Sequence, residues 1–123
     1  MIHLDKPEST ELFEKSISYL EKKGYQDIKA DLEGYESPKS YLKKDGDISL
    51  TPDITAMRDG RKHYFEVSVK SHKPTLLKTK WRFLEVLSNM NDQRFKIITA
   101  RGHYKFTNSM LADLNLKKTP IKL

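Results

Sequence analysis

Residues 51–70 read TPDITAMRDGRKHYFEVSVK, and this stretch carries most of the information about the fold. Asp59-Gly60 near its middle is the strongest short hairpin signal in the chain, because both residue types accept the positive φ angles of a two-residue turn. The flanking residues are rich in β-branched and aromatic side chains, which favour strands. The stretch therefore predicts a hairpin with one strand from Ile48 to Met57 and the other from His63 to Lys70.

A two-residue turn at this point determines which residues face each other across the hairpin. It places Asp53 directly opposite Glu66. Directly opposed residues have Cβ atoms roughly 4.5–5.5 Å apart. Ser68 and Lys70 fall on the same side of the strand as Glu66, whereas the other side of the hairpin is mostly apolar. The pattern predicts two carboxylates, a serine and a lysine on one face.

Two facing carboxylates repel each other unless a cation lies between them. Mg²⁺ takes oxygen ligands and is commonly bound through one or two carboxylates, so a metal ion would remove the conflict. The alternative is that this face lies in water, in which case Asp53 and Glu66 carry no chemistry. Both predicted strands look central rather than peripheral, which favours the metal site.

The rest of the chain supplies helices and further strands. Asp5 to Glu8 has the form of a capping box before a first helix, and Gly24 supplies its end. A second helix opens at Pro74 and turns its apolar side inward, including Leu77, Trp81 and Leu84. Arg94 to Arg101 is a predicted strand. Residues 107–109 are the predicted cap of a short third helix.

The predicted order of elements is α-β-β-β-α-β-α, which indicates an α/β or α+β fold around a mixed sheet. Residues 28–33 and 38–44 are both candidates for the first strand, and their patterns do not decide between them. No linker or low-complexity segment interrupts the sequence, so residues 1–123 are interpreted as a single domain.

Composition and charge narrow the class of partner. The chain has 123 residues, 33% of them charged, and no cysteine, which excludes disulfide scaffolds and thiolate zinc sites. The net charge is +6, but residues 61–123 carry 14 basic and 4 acidic side chains. Such a lopsided field favours a polyanionic partner, nucleic acid first. With no long apolar run, no membrane association is expected, and a cytoplasmic protein is the default.

Pro52-Asp53, followed by Glu66-Val67-Ser68, resembles the motif of the PD-(D/E)XK nuclease superfamily. The superfamily's restriction-endonuclease-like core has the order α-β-β-β-α-β, which the predicted elements reproduce over residues 8–101. The resemblance implies a Mg²⁺ ion, replaceable by Mn²⁺, held by Asp53, Glu66 and the backbone carbonyl of Val67. The implied reaction is hydrolysis of DNA phosphodiester bonds.

The chain departs from the superfamily at one position, because Ser68 stands where the motif has a lysine. A serine cannot orient or deprotonate water as a lysine can. Lys70 lies on the predicted face and is the first candidate to take over this role. Lys78 or Lys80 on the following helix could supply it from another direction, since the superfamily tolerates migration of this residue.

Further site residues are expected from the resemblance and from charge. An acid on the first helix often adds to the metal site in this superfamily, and Glu11 or Glu14 is the candidate here, although a solvated side chain is the favoured interpretation of either. Four basic residues are predicted to hold flanking phosphates of a nucleic acid: Lys73, Lys78, Lys80 and Arg82.

Two functions follow from these expectations, beside the alternative of a small protein-interaction domain whose basic charge is incidental. The first is a magnesium-dependent nuclease acting on DNA, structure-selective or weakly sequence-specific, because a chain of this size has no recognition domain. The second is a nuclease fold that has lost catalysis and acts as a nucleic-acid-binding or assembly module, a reading that Ser68 favours. RNA stays open as a substrate, and the small size is compatible with a homodimer.

Overall fold

A computed structural model describes residues 10–42 and 49–123. Within these residues the chain has an α+β fold, in which a mixed five-stranded sheet lies between helices. The helices are α1 (Thr10–Lys22), α2 (Pro74–Met90) and α3 (Tyr104–Asp113). The strands are β1 (Gln26–Ala30), β2 (Tyr41–Leu42), β3 (Ser49–Leu50), β4 (Ile54–Arg58), β5 (Arg61–Val67), β6 (Arg94–Thr99) and β7 (Ile121–Lys122).

The predicted hairpin is confirmed, with β4 and β5 as its strands. Asp59 and Gly60 have φ angles of 55° and 74°, so both adopt the left-handed conformation that a tight two-residue turn requires. The antiparallel register pairs Arg58 with Arg61 at the turn and continues to Ile54 opposite Phe65. This is the register that brings Asp53 opposite Glu66.

The hairpin lies in the middle of the sheet, whose strand order is β1-β4-β5-β6-β7. β1, β4 and β5 pair antiparallel, whereas β6 and β7 continue the sheet in parallel with β5. α2 connects β5 to β6, as expected for a parallel pair that needs a long crossover. β5 is therefore the central strand, and one carboxylate of the predicted site lies on it.

The two faces of the sheet bury different helices. α1 packs on one face, where its apolar side meets Phe65 and Val67 of β5. α2 and α3 pack on the other face, where Tyr64 of β5 belongs to the core. The buried residues of α2 and α3 on this face include Leu77, Trp81, Leu84, Met110 and Leu111. Glu66 and Ser68 alternate with Val67 along the chain, so the predicted site lies on the α2 side.

The strands before the Asp59-Gly60 turn differ from the predictions. β1 is closer to the 28–33 option, while Tyr41 and Leu42 of the other option pair with β3 in a separate two-stranded sheet. The single strand predicted from Ile48 to Met57 is divided into β3 and β4, and Ile48 itself is outside the described residues. The break has a physical reason, because Pro52 has no N–H to donate and Asp53 donates its own to the Glu66 side chain.

The predictions for the C-terminal part need two corrections. α3 begins at Tyr104, before the predicted cap, and the Thr107 hydroxyl donates to the His103 carbonyl one turn earlier instead of capping the helix. β7 was not predicted, because its two residues are too few to show a period. The capping residues predicted before α1, Asp5 to Glu8, lie outside the described residues. In residues 10–42 and 49–123, no helix is long and apolar enough to span a membrane.

Candidate functional site

Asp53 and Glu66 form a facing pair of buried carboxylates, with exposed fractions of 3% and 0%. Each is oriented by the backbone beside the other. The Asp53 N–H donates to Glu66 Oε2 at 2.8 Å, and the Val67 N–H donates to Asp53 Oδ2 at 2.8 Å. These charge-assisted bonds hold both carboxylates in one orientation on the α2 side of the sheet. The predicted geometry of the pair is thus the geometry of the structure.

Lys80 on α2 reaches into this pair. Its Nζ donates a hydrogen bond to Asp53 Oδ1 at 3.1 Å and forms an ion pair with Glu66 Oε1, also at 3.1 Å. The side chain of Lys80 is only 5% exposed. Lys80 is therefore the third member of a buried charge cluster and not a surface contact for phosphates, so that expectation is wrong. Its position beside the carboxylates is the one expected for a lysine that reaches the site from the following helix.

The position of Lys80 on its helix explains this contact. Leu77, Trp81 and Leu84 form the buried side of α2, and Lys80 is three residues after the first and four before the last. A helical residue at this spacing points in the same direction as its buried neighbours. The sequence contained this signal, since Lys80 is the lysine of α2 that falls within the apolar stripe.

Burial and charge act on Lys80 in opposite directions. Desolvation is the largest single influence and lowers its pKa, because the charged form loses water. Asp53 and Glu66 together outweigh this effect, and the pKa of Lys80 lies well above its ordinary value. Lys80 is therefore an ammonium ion at neutral pH, and it cannot serve as a proton acceptor while both carboxylates face it.

The donor set also fits a divalent cation. Asp53 Oδ1 and Glu66 Oε1 converge on one positively charged nitrogen, so the same two oxygens can converge on a metal ion. No cluster of three or more His, Cys, Asp or Glu side chains suited to a metal occurs in residues 10–42 and 49–123. A metal at this point would rely on two carboxylates and other oxygen donors. It would also compete with Lys80 for them.

Ser68, predicted to stand in a catalytic position, belongs to a hydroxyl network. Its Oγ lies 2.7 Å from Thr107 Oγ1 on α3, and Thr107 also lies 3.0 Å from the Thr99 hydroxyl of β6. Ser68 is 1% exposed, so this network connects β5, β6 and α3 inside the core. Its structural role is to tie α3 to the sheet beside the carboxylates.

Lys70 does not take the place that was predicted for it. β5 ends at Val67, so the alternation that would have placed Lys70 on the carboxylate side does not continue to it. Lys70 is exposed, and its backbone N–H donates to His103 Nδ1 at 3.0 Å. The structure places Lys80, not Lys70, between the two carboxylates.

The remaining predicted residues are dispersed. Glu11 and Glu14 are exposed on α1, which packs on the opposite face of the sheet, and Glu11 pairs with Lys15 at 3.4 Å. The structure does not bring either acid to the carboxylate pair. Lys78 pairs with Asp113 of α3 at 2.9 Å.

Lys73 and Arg82 are exposed, as phosphate contacts would need to be, and this role stays a prediction for both. The same holds for the Val67 carbonyl as a metal ligand. The Val67 N–H donates to Asp53 Oδ2 and so orients this carboxylate.

No family model, curated protein or solved structure matches this chain. The resemblance to the PD-(D/E)XK superfamily therefore depends on the motif residues, the order of the elements and the geometry of the site.

Proposed function

We propose that this protein is a metal-dependent nuclease that hydrolyses DNA phosphodiester bonds, with Lys80 in the role of the superfamily's lysine. The observation that carries the proposal is the buried cluster of Asp53, Glu66 and Lys80, whose charged atoms meet at 3.1 Å. Burying charged side chains costs free energy. Ionisable groups with perturbed pKa values are enriched at functional sites, because catalysis needs pKa values that match the reaction. The two carboxylates lie on one hairpin and the lysine on the following helix. This is the arrangement expected if the motif lysine has moved from the strand to that helix.

Hydrolysis of a phosphodiester joins a water oxygen to phosphorus and breaks one phosphorus–oxygen bond of the backbone. Asp53 and Glu66 would hold the Mg²⁺ ion, which supplies charge neutralisation and a lower pKa for the attacking water. The two backbone N–H bonds keep each carboxylate with one oxygen turned toward the site, so the carboxylates themselves need no reorientation when a metal ion binds. Lys80 Nζ, which contacts the same two oxygens, would have to withdraw from them.

Lys80 supplies fixed positive charge to this reaction. Because its pKa is raised, it acts as an ammonium donor that orients water or neutralises the phosphate, rather than as the base that removes a proton. Its aliphatic stem is buried with the apolar residues of α2, so little further conformational entropy is lost when its ammonium group contacts a substrate. The catalytic role assigned to Lys70 in the sequence analysis thus passes to Lys80.

Cleavage assays test the proposal. Supercoiled plasmid, a four-way junction, single-stranded DNA and RNA are incubated with the protein in Mn²⁺ or Mg²⁺. We expect metal-dependent cleavage of at least one DNA substrate and its loss in Asp53→Asn, with EDTA as the second control. Cleavage that persists in Asp53→Asn, or that needs no metal, would contradict the assignment of the site.

One observation favours the alternative of a catalytically inactive binding module. The Lys80 ammonium sits where the two carboxylate oxygens converge, and an internal cation of this kind can replace a metal permanently. This reading expects no cleavage in any metal and no thermal stabilisation by Mn²⁺. It retains nucleic-acid binding, which a salt titration measures independently of cleavage.

A further inference from the structure

A second charged region lies at the other end of the hairpin. A cavity of about 530 Å³ opens between the end of α1, the start of β6 and the segment before β7. Five basic side chains line it, and no acidic residue of the described chain is among its lining residues. We name this cavity the basic cleft and define it by these five residues: Lys23, Arg58, Arg94, Lys96 and Lys118.

Tyrosine side chains contact several of these cations. The Arg58 guanidinium lies 4.3 Å from the centre of the Tyr25 ring, and Lys96 Nζ is 3.4 Å from the hydroxyl of the same tyrosine. Lys23 Nζ lies 5.5 Å from the centre of the Tyr19 ring. A ring attracts a cation but does not neutralise it, so these side chains keep a full positive charge facing the cleft.

Three carboxylates outside the lining of the cleft pair with its cations, and one of them, the partly buried Glu85, offsets the charge of Lys118. Lys118 pairs with Glu85 at 2.7 Å and Arg94 with Asp92 at 3.5 Å, while Asp59 lies 4.0 Å from Arg58. Asp59 and Asp92 are highly exposed, at 93% and 79% of their side chains, so solvent screens these two pairs.

His63, at the start of β5, reports the same positive field. Its ring lies 5.0 Å from that of Tyr25, and its pKa is lowered mainly by burial and further by three residues of the cleft. These residues are Lys96, Arg58 and Arg94. Cations that act together on one neighbour would also act together on an anion in the cleft.

The basic cleft is distinct from the carboxylate site. His63 pairs with Arg94 at the beginning of β5, whereas Glu66 is three residues further along that strand, roughly 10 Å away. Lys96 lies on the face of the sheet that α1 covers, because it contacts Tyr25, which belongs to the core on that face. Glu66 lies on the opposite face, toward α2. One phosphate group cannot contact both places.

We propose that the basic cleft binds the phosphate backbone of nucleic acid, without reading its sequence, as a second contact outside the reacting centre. Its volume is in the range of ordinary ligand sites, and clustered cations beside aromatic rings are typical of single-strand binding grooves. The inference deepens the proposed nuclease function, since the cleft would anchor a part of the substrate that is not being cut.

Fluorescence anisotropy with a labelled single-stranded oligothymidylate, in EDTA, tests this proposal without cleavage. The test variant is Lys23→Met with Lys96→Met, and the matched control is Lys15→Met, which removes an exposed lysine of α1 away from the cleft. We expect the double variant to bind roughly tenfold more weakly, with a salt slope shallower by about 0.7 per lysine, while the control keeps the wild-type slope.

Equal affinity and slope in wild type and double variant would overturn the proposal. Lys23→Met alone, a change at an exposed position, keeps the test decisive if the double variant does not fold. Competition by polyglutamate as strong as that by unlabelled oligothymidylate would overturn the assignment to nucleic acid. If the wild type showed no metal-dependent cleavage while the double variant still bound oligothymidylate more weakly, the nuclease function would be refuted and the binding role of the cleft supported.

Discussion

The two ends of β5 carry charge in opposite ways. Where the strand ends, Asp53, Glu66 and Lys80 are almost completely buried, and the two negative charges face one positive charge at 3.1 Å. Where it begins, the cations of the basic cleft lie in an open cavity, several of them against aromatic rings. The same sheet thus presents a closed cluster at one end and an open positive surface at the other.

This difference teaches what each charge can do. A buried charge requires a counter-charge, so the members of the carboxylate cluster depend on one another for their burial. An exposed cation requires none, so the exposed members of the basic cleft, Lys23 and Arg94, can be removed at little cost in stability. Substitutions in the first region should change stability and metal response together, whereas substitutions in the second should change salt-dependent binding.

The largest effect is expected from Lys80→Met. Methionine keeps the stem among Leu77, Trp81 and Leu84 but leaves two facing carboxylates buried without this ammonium. Breaking a buried ion pair on one side costs about 3–5 kcal/mol, which a urea unfolding curve measures in metal-free buffer. Cleavage should fall by about 10²–10⁴-fold.

Lys70→Met is the matched control for this loss, because it removes an exposed lysine from the loop between β5 and α2. It should unfold at the wild-type urea concentration and retain most of the cleavage activity. If Lys70→Met abolished cleavage and Lys80→Met did not, the sequence-based choice of Lys70 would be right and the role of Lys80 only structural.

The second effect is stabilisation by metal. A cation that binds only the folded protein, at about a hundred times its Kd, adds about 2.7 kcal/mol to the free energy of unfolding. We expect Mn²⁺ to raise the Tm of the wild type but not that of Asp53→Asn, in which Glu66 and Lys80 form a balanced pair. Lys80→Met should respond more strongly than the wild type, because the metal no longer competes with the ammonium. Equal shifts in all three proteins would place the cation elsewhere.

Local sequence signals predict the hairpin and its carboxylates. Asp59-Gly60 determines the turn, the turn determines the register, and the register brings Asp53 to Glu66. These steps involve neighbouring residues and a side-chain period of two, so no tertiary information is needed. The same reasoning fails beyond Val67, where the strand ends and Lys70 leaves the predicted face.

The lysine of the site requires information that the hairpin does not contain. Lys80 reaches the carboxylates because α2 packs on that face of the sheet, a tertiary fact that a strand pattern cannot show. The apolar stripe of α2 identifies Lys80 as inward-facing, but not what it meets inside. The basic cleft is still less predictable, because Arg58 and Lys96 lie on different strands and Lys23 follows the end of α1.

A smaller effect is expected from Ser68→Ala, which tests whether Ser68 is catalytic. The variant loses the hydrogen bond to Thr107, while Thr107 keeps its bond to the His103 carbonyl. The expected loss is about 1 kcal/mol in urea unfolding, with cleavage within a small factor of the wild type. Ser16→Ala is the control, because it removes a buried hydroxyl bonded to Leu12 on the opposite face. A loss of cleavage as deep as that of Lys80→Met would restore Ser68 to the catalytic site.

The smallest effect concerns pH at the open end of β5. The pKa of His63 is lowered by burial and by Lys96, Arg58 and Arg94, although its Nδ1–H donates to the Arg61 carbonyl. In the unfolded chain a histidine has a pKa of about 6.5. Below that pH the unfolded chain takes up a proton that the folded protein does not. The contribution of His63 to the free energy of unfolding is therefore complete above about pH 6.5 and is lost as the pH drops toward the pKa of the folded protein.

Urea midpoints near pH 7.5 and pH 5.5 measure this dependence. His63→Gln should make the midpoint less sensitive to pH, and His72→Gln, which removes an exposed imidazole, is the matched control. An oligothymidylate bound in the basic cleft would neutralise the field of Lys96, Arg58 and Arg94 and raise the pKa of His63, an effect that NMR titration detects. If saturating oligonucleotide left the titration of the His63 resonance unchanged, the bound strand would lie away from the basic cleft, and this result would contradict binding there.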